Sequence, residues 1–222
     1  MKEGKICSNE DLEKIEIELL LQGLYAWCGY DYRNYAYNSI RRRIWHRVHA
    51  EKLTSITGLL EKILHDPDCL ARLIRDFSIS VTEMFRNPSF FLSFREKAVP
   101  FLRTYPSIRI WHAGCSTGEE VYSMAILLHE EGIYEKTKIY ATDINTDLLS
   151  AAKSGIFPIS QMRKFTNNYI SAGGRRAFSD YYTVMDYGVK FHSYLAKNVV
   201  FTQHNLVTDD SFNEFNVILC RN

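Results

Sequence analysis

Residues 109–128, RIWHAGCSTGEEVYSMAILL, decide the fold class because their hydrophobic pattern changes in the middle. The first residues form a short apolar run that is typical of a buried strand, and the last ten follow a helical pattern. Gly114 and Gly118 lie between them among other small residues. A strand, a glycine-bearing turn and a helix in this order commonly bring a nucleotide-like ligand to the N-terminus of the helix.

The same alternation continues along the chain. KIYATD predicts a second strand, and NTDLLSAAKSG predicts a helix that ends at Gly155. NVVFTQHNL and FNVILCRN return to the pattern of buried strands. The sequence therefore predicts a Rossmann-like α/β domain with a parallel sheet.

Two features interrupt this pattern. The region from about 156 to 197 has β-rich runs on both sides of Asp186, Tyr187 and Gly188, which predicts a small antiparallel β insert. The sequence also stops after the last predicted strand. Because a doubly wound sheet of about four strands leaves a bare edge, we expect a sheet that is truncated at its C-terminal side.

The residues before the sheet predict a helical domain, which we place at 1–86, followed by the α/β domain at 87–222. Ser8 and Asp11 resemble a capping box for a first helix that ends at Gly29. Ile40, Ile44 and Val48 form one stripe of a second helix. Two further helices are expected, at residues 53–64 and around 70–77. Asn87 and Pro88 form an N-cap and first helical position for a helix that runs toward Arg103.

Composition excludes several classes of protein. A formal net charge of +1 gives the protein no overall positive field that would attract nucleic acid or a membrane surface. The five cysteines are odd in number and form no C-x-x-C pair, which favours a reducing compartment and argues against a zinc site. His46 and His49 lack an evident third ligand, so we expect no metal. No apolar run is long enough to span a bilayer, and we expect a cytoplasmic protein.

Two carboxylates beside the glycine turn narrow the choice of ligand. Glu119 and Glu120 fall in the first turn of the helix, where they would repel a pyrophosphate but attract a cation. Each acid taken singly is also an ordinary partner of the helix dipole. Asp143 ends the second strand, where it is either an acceptor for ribose hydroxyls or an ordinary loop acid. Adenosine with an ammonium group and no phosphate describes S-adenosylmethionine.

Six motifs occur in order with the spacing of a known family. They are SVTEMFRNPSFF, AGCSTGEEVYSMAILL, ATDIN, AAKSGIF, QHNL and NVILCRN. In this combination the chain resembles CheR-type protein-glutamate O-methyltransferases, which methylate glutamate side chains of bacterial chemoreceptors. The resemblance implies a helical N-terminal domain, an α/β domain that binds S-adenosylmethionine and a small β-subdomain.

The resemblance also implies the site residues. Arg86 would grip the methionine carboxylate, and Glu119 would lie near the methionine amino group. Arg221 and Asn222 resemble the family residues beside the methyl-transfer centre, and no general base is expected. Ser80 is a weaker candidate. The complete set of expected cofactor-binding residues is Thr82, Arg86, Glu119, Asp143, Asn205, Leu206, Arg221 and Asn222.

The expected substrate is the glutamate-rich helix of a receptor's cytoplasmic domain. The segment from Arg33 to Lys52 has six basic residues and one acid, so Arg42, Arg43 and Arg47 could attract that helix by charge. A solvated helix face is the alternative for the same residues. In some family members the β-subdomain docks a receptor peptide as an added strand, and a rigid cover over the site is the alternative there.

Other functions fit the sequence less well. A dinucleotide oxidoreductase would carry G-x-G-x-x-G and an acid about 20 residues further on. A methyltransferase acting on nucleic acid often carries Asn/Asp-Pro-Pro-aromatic where this chain has Cys220, Arg221 and Asn222. A methyltransferase for a different protein and a non-catalytic CheR-like binding module remain as alternatives.

Overall fold

The computed structural model describes residues 8–77, 82–206 and 209–221. The chain divides into two compact units, Met1–Ile79 and Ser80–Asn222. The described part of the first unit is all helical, and the second contains a parallel sheet, helices and a small antiparallel sheet. This confirms the predicted fold class. Residues 82–86, which we expected to close the helical domain, group with the second unit.

Four helices form the described part of the first unit: α1 (Asn9–Cys28), α2 (Tyr37–Ala50), α3 (Ile56–His65) and α4 (Pro67–Phe77). The predicted capping box is present, since the Ser8 hydroxyl accepts from the Asp11 amide and the Asp11 carboxylate accepts from the Ser8 amide. α3 begins at Ile56 behind a Ser55 cap, later than predicted. The apolar faces of the helices meet in one buried core.

The arginines of α2 differ in their contacts. Arg43 donates to the carbonyl oxygens of Asp76 and Phe77 at the end of α4, at 2.5 and 3.2 Å. Arg47 donates to the Asp76 carboxylate at 2.7 Å. Arg42 is exposed and has no hydrogen-bond or ion-pair partner among the described residues. Arg43 and Arg47 therefore stabilise the helical unit, and Arg42 is left facing solvent.

Glu51, directly after α2, joins three helices by ion pairs. Its carboxylate accepts from Arg47 at 3.2 Å, from Lys62 at 2.7 Å and from Arg72 at 2.8 Å. Hydrogen bonds from Arg72 and Lys62 lower the pKa of Glu51 to about 2. The ionised carboxylate thus links α2, α3 and α4.

The second unit begins with a helical run and then alternates strands and helices. The run from Pro88 to Leu102 is continuous but contains one wider turn of π-helix, Phe94–Ala98, between its two α-helical parts. The regular elements of the second unit are α5 (Pro88–Ser93), α6 (Val99–Leu102), β1 (Ile108–Ala113), α7 (Glu119–Glu130), β2 (Thr137–Asp143), α8 (Thr146–Ser154), β3 (Ile156–Phe157), α9 (Met162–Ser171), β4 (Tyr182–Met185), β5 (Gly188–Phe191), β6 (Val199–Gln203) and β7 (Val217–Cys220).

The main sheet has the strand order β6-β2-β1-β7, and each neighbouring pair is parallel. In this register Ala113 lies beside Thr142 and Cys220, and Asp143 lies beside Gln203. The ends of all four strands therefore meet at one side, which we call the carboxyl edge. Ligands of parallel α/β sheets bind at this edge.

The insert contains the predicted antiparallel hairpin and a helix that we did not predict. β4 and β5 pair across Asp186 and Tyr187, and β3 pairs with the other side of β5. α9 precedes the hairpin and buries Met162, Phe165 and Tyr169 along one face. Its start has no side-chain cap, so the usual sequence signal for a helix N-terminus is missing.

A buried carboxylate holds the insert against α7. Glu130 accepts hydrogen bonds from the Tyr169 hydroxyl, from the Tyr181 hydroxyl at 2.8 Å and from the Arg175 amide at 3.0 Å. Burial favours the neutral acid, but these bonds and the one from Arg95 outweigh it and lower the pKa of Glu130. The carboxylate is therefore satisfied as an anion inside the protein.

Across residues 8–77, 82–206 and 209–221, no helix combines the length and the apolar character needed to cross a bilayer.

We expect Glu51→Gln to destabilise the helical unit by about 1–2 kcal/mol at neutral pH, because three cations lose an anionic partner. The folded pKa of about 2 lies below the ordinary 4.5. The stabilisation is therefore complete above pH 4.5 and is lost as the pH falls toward 2. Urea unfolding followed by tryptophan fluorescence in a Trp111→Phe background measures this loss of stability. Trp27 and Trp45 are then the remaining tryptophans, and both lie in the first unit.

Glu61→Gln is the matched control, because Glu61 is an exposed carboxylate on α3 with no partner among the described residues. The stability difference between Glu51→Gln and its parent should shrink below pH 4.5. A difference that stays constant down to about pH 3 would contradict the assignment.

Candidate functional site

The backbone amides of the turn after β1 donate hydrogen bonds to other groups of the protein. The amides of Gly114 and Cys115 both donate to the Thr142 carbonyl, at 2.9 and 2.7 Å. The Gly118 amide donates to the Cys115 carbonyl at 3.0 Å, and the Ser116 amide donates to the Asp143 carboxylate at 2.8 Å. These four amides are occupied, so they do not form the phosphate cradle of a dinucleotide site.

Gly118 lets α7 start close to α8. Its φ of 92° is a left-handed conformation that glycine adopts without steric cost. A Cβ at this position would lie 2.9 Å from the Cβ of Ala152. Ser116 takes a φ of 51° without being glycine, and its buried hydroxyl has no hydrogen-bond partner among the described residues. Such a hydroxyl is a group that a ligand at the carboxyl edge can satisfy.

Asp143 ends β2 with its carboxylate fixed by two backbone amides. One oxygen accepts from Ser116 at 2.8 Å and the other from Asn145 at 3.0 Å. The side chain is half-buried, and each carboxylate oxygen can accept a further hydrogen bond. Asp143 is therefore an oriented acceptor pair, which suits the two hydroxyls of a ribose.

Glu119 is a buried acid at the first position of α7. It is 7% exposed, and its carboxylate accepts from the Thr117 hydroxyl at 2.7 Å. Burial raises the pKa of Glu119. No basic side chain in the described part of the chain forms an ion pair with it. A buried carboxylate without a cation is costly, and a positively charged group of a ligand would offset that cost.

The loop at residues 82–87 is held against the carboxyl edge by hydrogen bonds from two helices. The Phe85 amide donates to the Ser123 hydroxyl of α7 at 2.8 Å. The Asn168 side chain of α9 donates to the Met84 carbonyl at 3.0 Å. The loop therefore lies beside the first turns of α7, where Glu119 is found.

Two residues of this loop have unfavourable backbone conformations. Phe85 and Asn87 have φ values of 51° and 56°, which non-glycine residues adopt at a cost. The ring of Phe85 is fully buried and packs edge-to-face on Phe91 and Tyr169, at 5.1 and 5.2 Å between centroids. Burial of this ring offsets the backbone cost and fixes the loop in one conformation.

Arg221, after β7, connects the sheet to the loop. Its guanidinium donates to Glu120 at 2.7 Å, to the Arg86 carbonyl at 3.3 Å and to the Asn87 side-chain oxygen at 3.2 Å. It also lies 4.2 Å above the ring of Phe90. The Asn87 side chain makes no capping hydrogen bond to α5. Asn87 therefore takes the predicted N-cap position before Pro88, but its side chain binds Arg221 instead of capping the helix.

Glu120 is shared between Arg221 and a buried histidine. The Nδ1 atom of His112 lies 3.0 Å from a Glu120 oxygen, and His112 is 1% exposed. Burial would raise the pKa of Glu120, but His112 and Arg221 outweigh it and lower the pKa. The Nε2 atom of His112 is buried without a hydrogen-bond partner in the described structure.

The residues after β6 lie next to Asp143. The His204 amide donates to the Asp143 carbonyl at 3.2 Å, and its ring packs on Trp111. The Asn205 amide donates to the Asp209 carboxylate at 2.8 Å. Leu206 is 50% exposed. An apolar side chain thus faces solvent at the same edge as the acceptor pair.

Two family models match the chain. The all-alpha domain of CheR methyltransferase matches residues 15–78, and the SAM binding domain of CheR methyltransferase matches residues 80–222. The chain belongs to the CheR methyltransferase family.

Relatives of the CheR family span most of the chain. The "Putative methyltransferase Cher3" of Pseudomonas putida KT2440 is 50% identical over 208 residues, which cover 94% of this chain and 76% of that protein. The "Chemotaxis protein methyltransferase" of Escherichia coli K12 is 26% identical over 208 residues, with coverage of 90% and 70%. The protein of the same name from Listeria innocua is 26% identical over 196 residues, with coverage of 87% and 72%. These matches confirm the CheR resemblance and a methyltransferase domain that uses S-adenosylmethionine.

The structure brings most of the expected CheR cofactor residues to one edge. Asp143 ends β2, Arg221 directly follows β7, and Glu119 begins α7 after the turn that follows β1. Thr82 is half-buried at the start of the loop at residues 82–87. Ser80 and Asn222 lie outside the described residues. Arg42, Arg43 and Arg47 belong to α2 in the other unit.

Sequence reasoning missed the partners of these residues. Ser123 and His112 fix the loop and Glu120, yet nothing in their sequence context marks them as site residues. The sequence marks Glu120 only as one of two acids in the first turn of α7. The sequence does contain a signal for Ser116, because a serine inside a glycine-bearing turn is well placed for a left-handed conformation.

The remaining reactive groups at the edge have structural environments. Burial, and then the Asp143 charge, raises the pKa of the Cys115 thiol far above its ordinary value, so it is not a ready nucleophile. Cys28, Cys69, Cys115 and Cys220 are free thiols. In residues 8–77, 82–206 and 209–221, no group of three or more His, Cys, Asp or Glu side chains could hold a metal ion.

We expect the affinity for S-adenosylmethionine to increase with pH through the raised pKa of Glu119, because the methionine ammonium binds a carboxylate better than a neutral acid. Glu119→Gln should weaken binding about tenfold at pH 7, where the ligand ammonium is still largely charged, and remove this part of the pH dependence. Equilibrium dialysis with labelled cofactor from about pH 5 to 7 measures both effects. Glu135→Gln, at an exposed carboxylate, is the control. The same pH dependence in Glu119→Gln and wild type would contradict the role of Glu119.

Proposed function

We propose that this chain transfers a methyl group from S-adenosylmethionine to a glutamate side chain of a chemoreceptor and forms a methyl ester. One observation carries the proposal. A buried carboxylate with no ion-pair partner in the described structure, Glu119, lies at the same sheet edge as an oriented acceptor pair, Asp143, in a CheR methyltransferase. A sulfonium nucleoside with an ammonium group and a ribose diol matches both groups.

The proposed orientation of the cofactor follows the order of the strand ends. Adenine would lie toward Asn205 and Leu206 after β6, and the ribose would lie at Asp143. The methionine ammonium would contact Glu119, and its carboxylate would meet Arg86 with Thr82 beside it. The methyl group then points toward β7, where Arg221 and Asn222 follow the strand.

The proposed reaction needs positioning more than acid–base catalysis. A glutamate side chain has an ordinary pKa of about 4.3 and is already an anion at neutral pH. A carboxylate oxygen attacks the methyl carbon in line, the carbon–sulfur bond breaks, and S-adenosylhomocysteine leaves with the bonding electrons. Positive and negative charges neutralise each other in this step, so a site that excludes water favours it. Alignment of two reactants can itself lower the barrier by roughly 7–11 kcal/mol.

The relatives named as chemotaxis protein methyltransferases support a receptor as the substrate. In α2 the structure favours Arg42 as the residue that meets an acidic helix, because Arg42 is exposed while Arg43 and Arg47 bind the end of α4. The reaction would take place in the cytoplasm, on the cytoplasmic domains of receptors.

Incubation with methyl-labelled cofactor and purified cytoplasmic receptor domains tests the function directly. We expect label in the receptor and its release as methanol in mild base, because a glutamate methyl ester is base-labile and an N-methyl group is not. Asp143→Asn should reduce the transfer at least about tenfold by weakening the ribose contact. Label in the receptor that is stable to base, or label only in nucleic acid, would refute glutamate methylation.

We expect Arg42→Glu to reduce kcat/KM for the receptor about three- to tenfold at low salt, through repulsion of an acidic helix, and to leave cofactor affinity unchanged. Lys14→Glu on the exposed side of α1 reverses the same charge and is the matched control. The defect should become smaller at high salt. An Arg42→Glu enzyme as active as Lys14→Glu at low salt would remove α2 from the proposed receptor contact.

A further inference from the structure

Both terminal nitrogens of Arg221 form hydrogen bonds inside the protein. One nitrogen binds Glu120 at 2.7 Å, and the other binds the Arg86 carbonyl and the Asn87 side chain at 3.3 and 3.2 Å. The flat face of the guanidinium covers the Phe90 ring at 4.2 Å. Arg221 therefore joins the end of β7, the start of α7 and the loop at residues 82–87.

Glu120 sets the direction of the Arg221 guanidinium. Its two oxygens bind different partners, with His112 on one and Arg221 on the other. Because the carboxylate is ionised beside an arginine, the facing Nδ1 of His112 is the donor in their contact. His112 is fixed on β1 inside the core and is 1% exposed, so it gives Glu120 a rigid support.

We infer that Glu120, oriented by His112, is a positioning residue for the methionine end of the cofactor: it fixes Arg221, and Arg221 fixes the loop that carries Thr82 and Arg86. The inference rests on the proposed function and extends it to Glu120 and His112, which are outside the expected set of cofactor-binding residues. Arg221 supports the loop at Asn87, whose backbone is left-handed. Without Arg221, one side-chain hydrogen bond that offsets the unfavourable φ of 56° is lost.

Two ligands separate positioning from general stability. S-adenosylhomocysteine has the complete amino-acid tail, while 5′-methylthioadenosine keeps the nucleoside and the sulfur but lacks the α-amino and carboxyl groups of that tail. Glu120→Gln preserves the size of the side chain and removes its charge. By calorimetry of the complete chain we expect about a tenfold loss of affinity for S-adenosylhomocysteine, the lower end of the range seen when the supporting partner of a metal ligand is removed. Affinity for 5′-methylthioadenosine should change less than about twofold.

Further variants test the order of the contacts. His112→Leu should produce the same selective loss, and His112→Asn should restore part of the affinity because its amide can donate from nearly the position of Nδ1. In an Arg86→Gln background, Glu120→Gln should have almost no further effect on S-adenosylhomocysteine, since both act through one contact. Arg221→Lys keeps the charge but cannot bridge Glu120 and the loop. It should show the same loss, and it provides the test if Glu120→Gln does not fold.

Equal losses for both ligands, or unchanged affinity for S-adenosylhomocysteine, would overturn the inference. Full additivity of Glu120→Gln with Arg86→Gln would also overturn it. A wild-type chain that binds neither ligand would instead refute the proposed function, and this outcome is distinguishable because it does not depend on Glu120.

Discussion

The site depends on the parallel pairing of β1 with β2. Because the two strands run in the same direction and in register, the turn after Ala113 and the carboxylate of Asp143 emerge side by side. The Ser116 amide then binds Asp143, and the Gly114 and Cys115 amides bind the Thr142 carbonyl. These bonds occupy the amides that a phosphate would need and leave each Asp143 oxygen able to accept a further hydrogen bond. The same pairing therefore excludes a dinucleotide bound through its phosphates and forms a site that suits the ribose of a nucleoside without phosphate.

The loop at residues 82–87 forms the second half of the site and is stabilised differently. It has no strand partner, and two of its residues have left-handed conformations. Its position comes from the buried Phe85 ring and from contacts with Ser123, Asn168 and Arg221. A loop held by several elements can carry ligand residues with little motion, which is the requirement for a reaction that depends on alignment.

Local patterns in the sequence predicted the elements, but they could not predict long-range contacts. The Ser8 capping box, the α2 stripe and the alternation of strands and helices depend on residues close together in the chain, and all were recovered. α9 was missed because it lacks a capping side chain and lies among aromatic runs that favour strands. The partners of Arg221 are 101 and 135 positions away, and Arg43 binds backbone carbonyls at the end of another helix. No periodicity encodes such pairings. The expected roles of Thr82, Asn205 and Leu206 rest on the family resemblance and remain predictions.

A crystal structure of the complete chain with S-adenosylhomocysteine is the most direct test of the central claim. We predict density at the carboxyl edge with both ribose hydroxyls on the Asp143 carboxylate and the ligand ammonium beside Glu119. Density that places the sugar away from Asp143, or that brings the ligand's own carboxylate to Glu119, would contradict it.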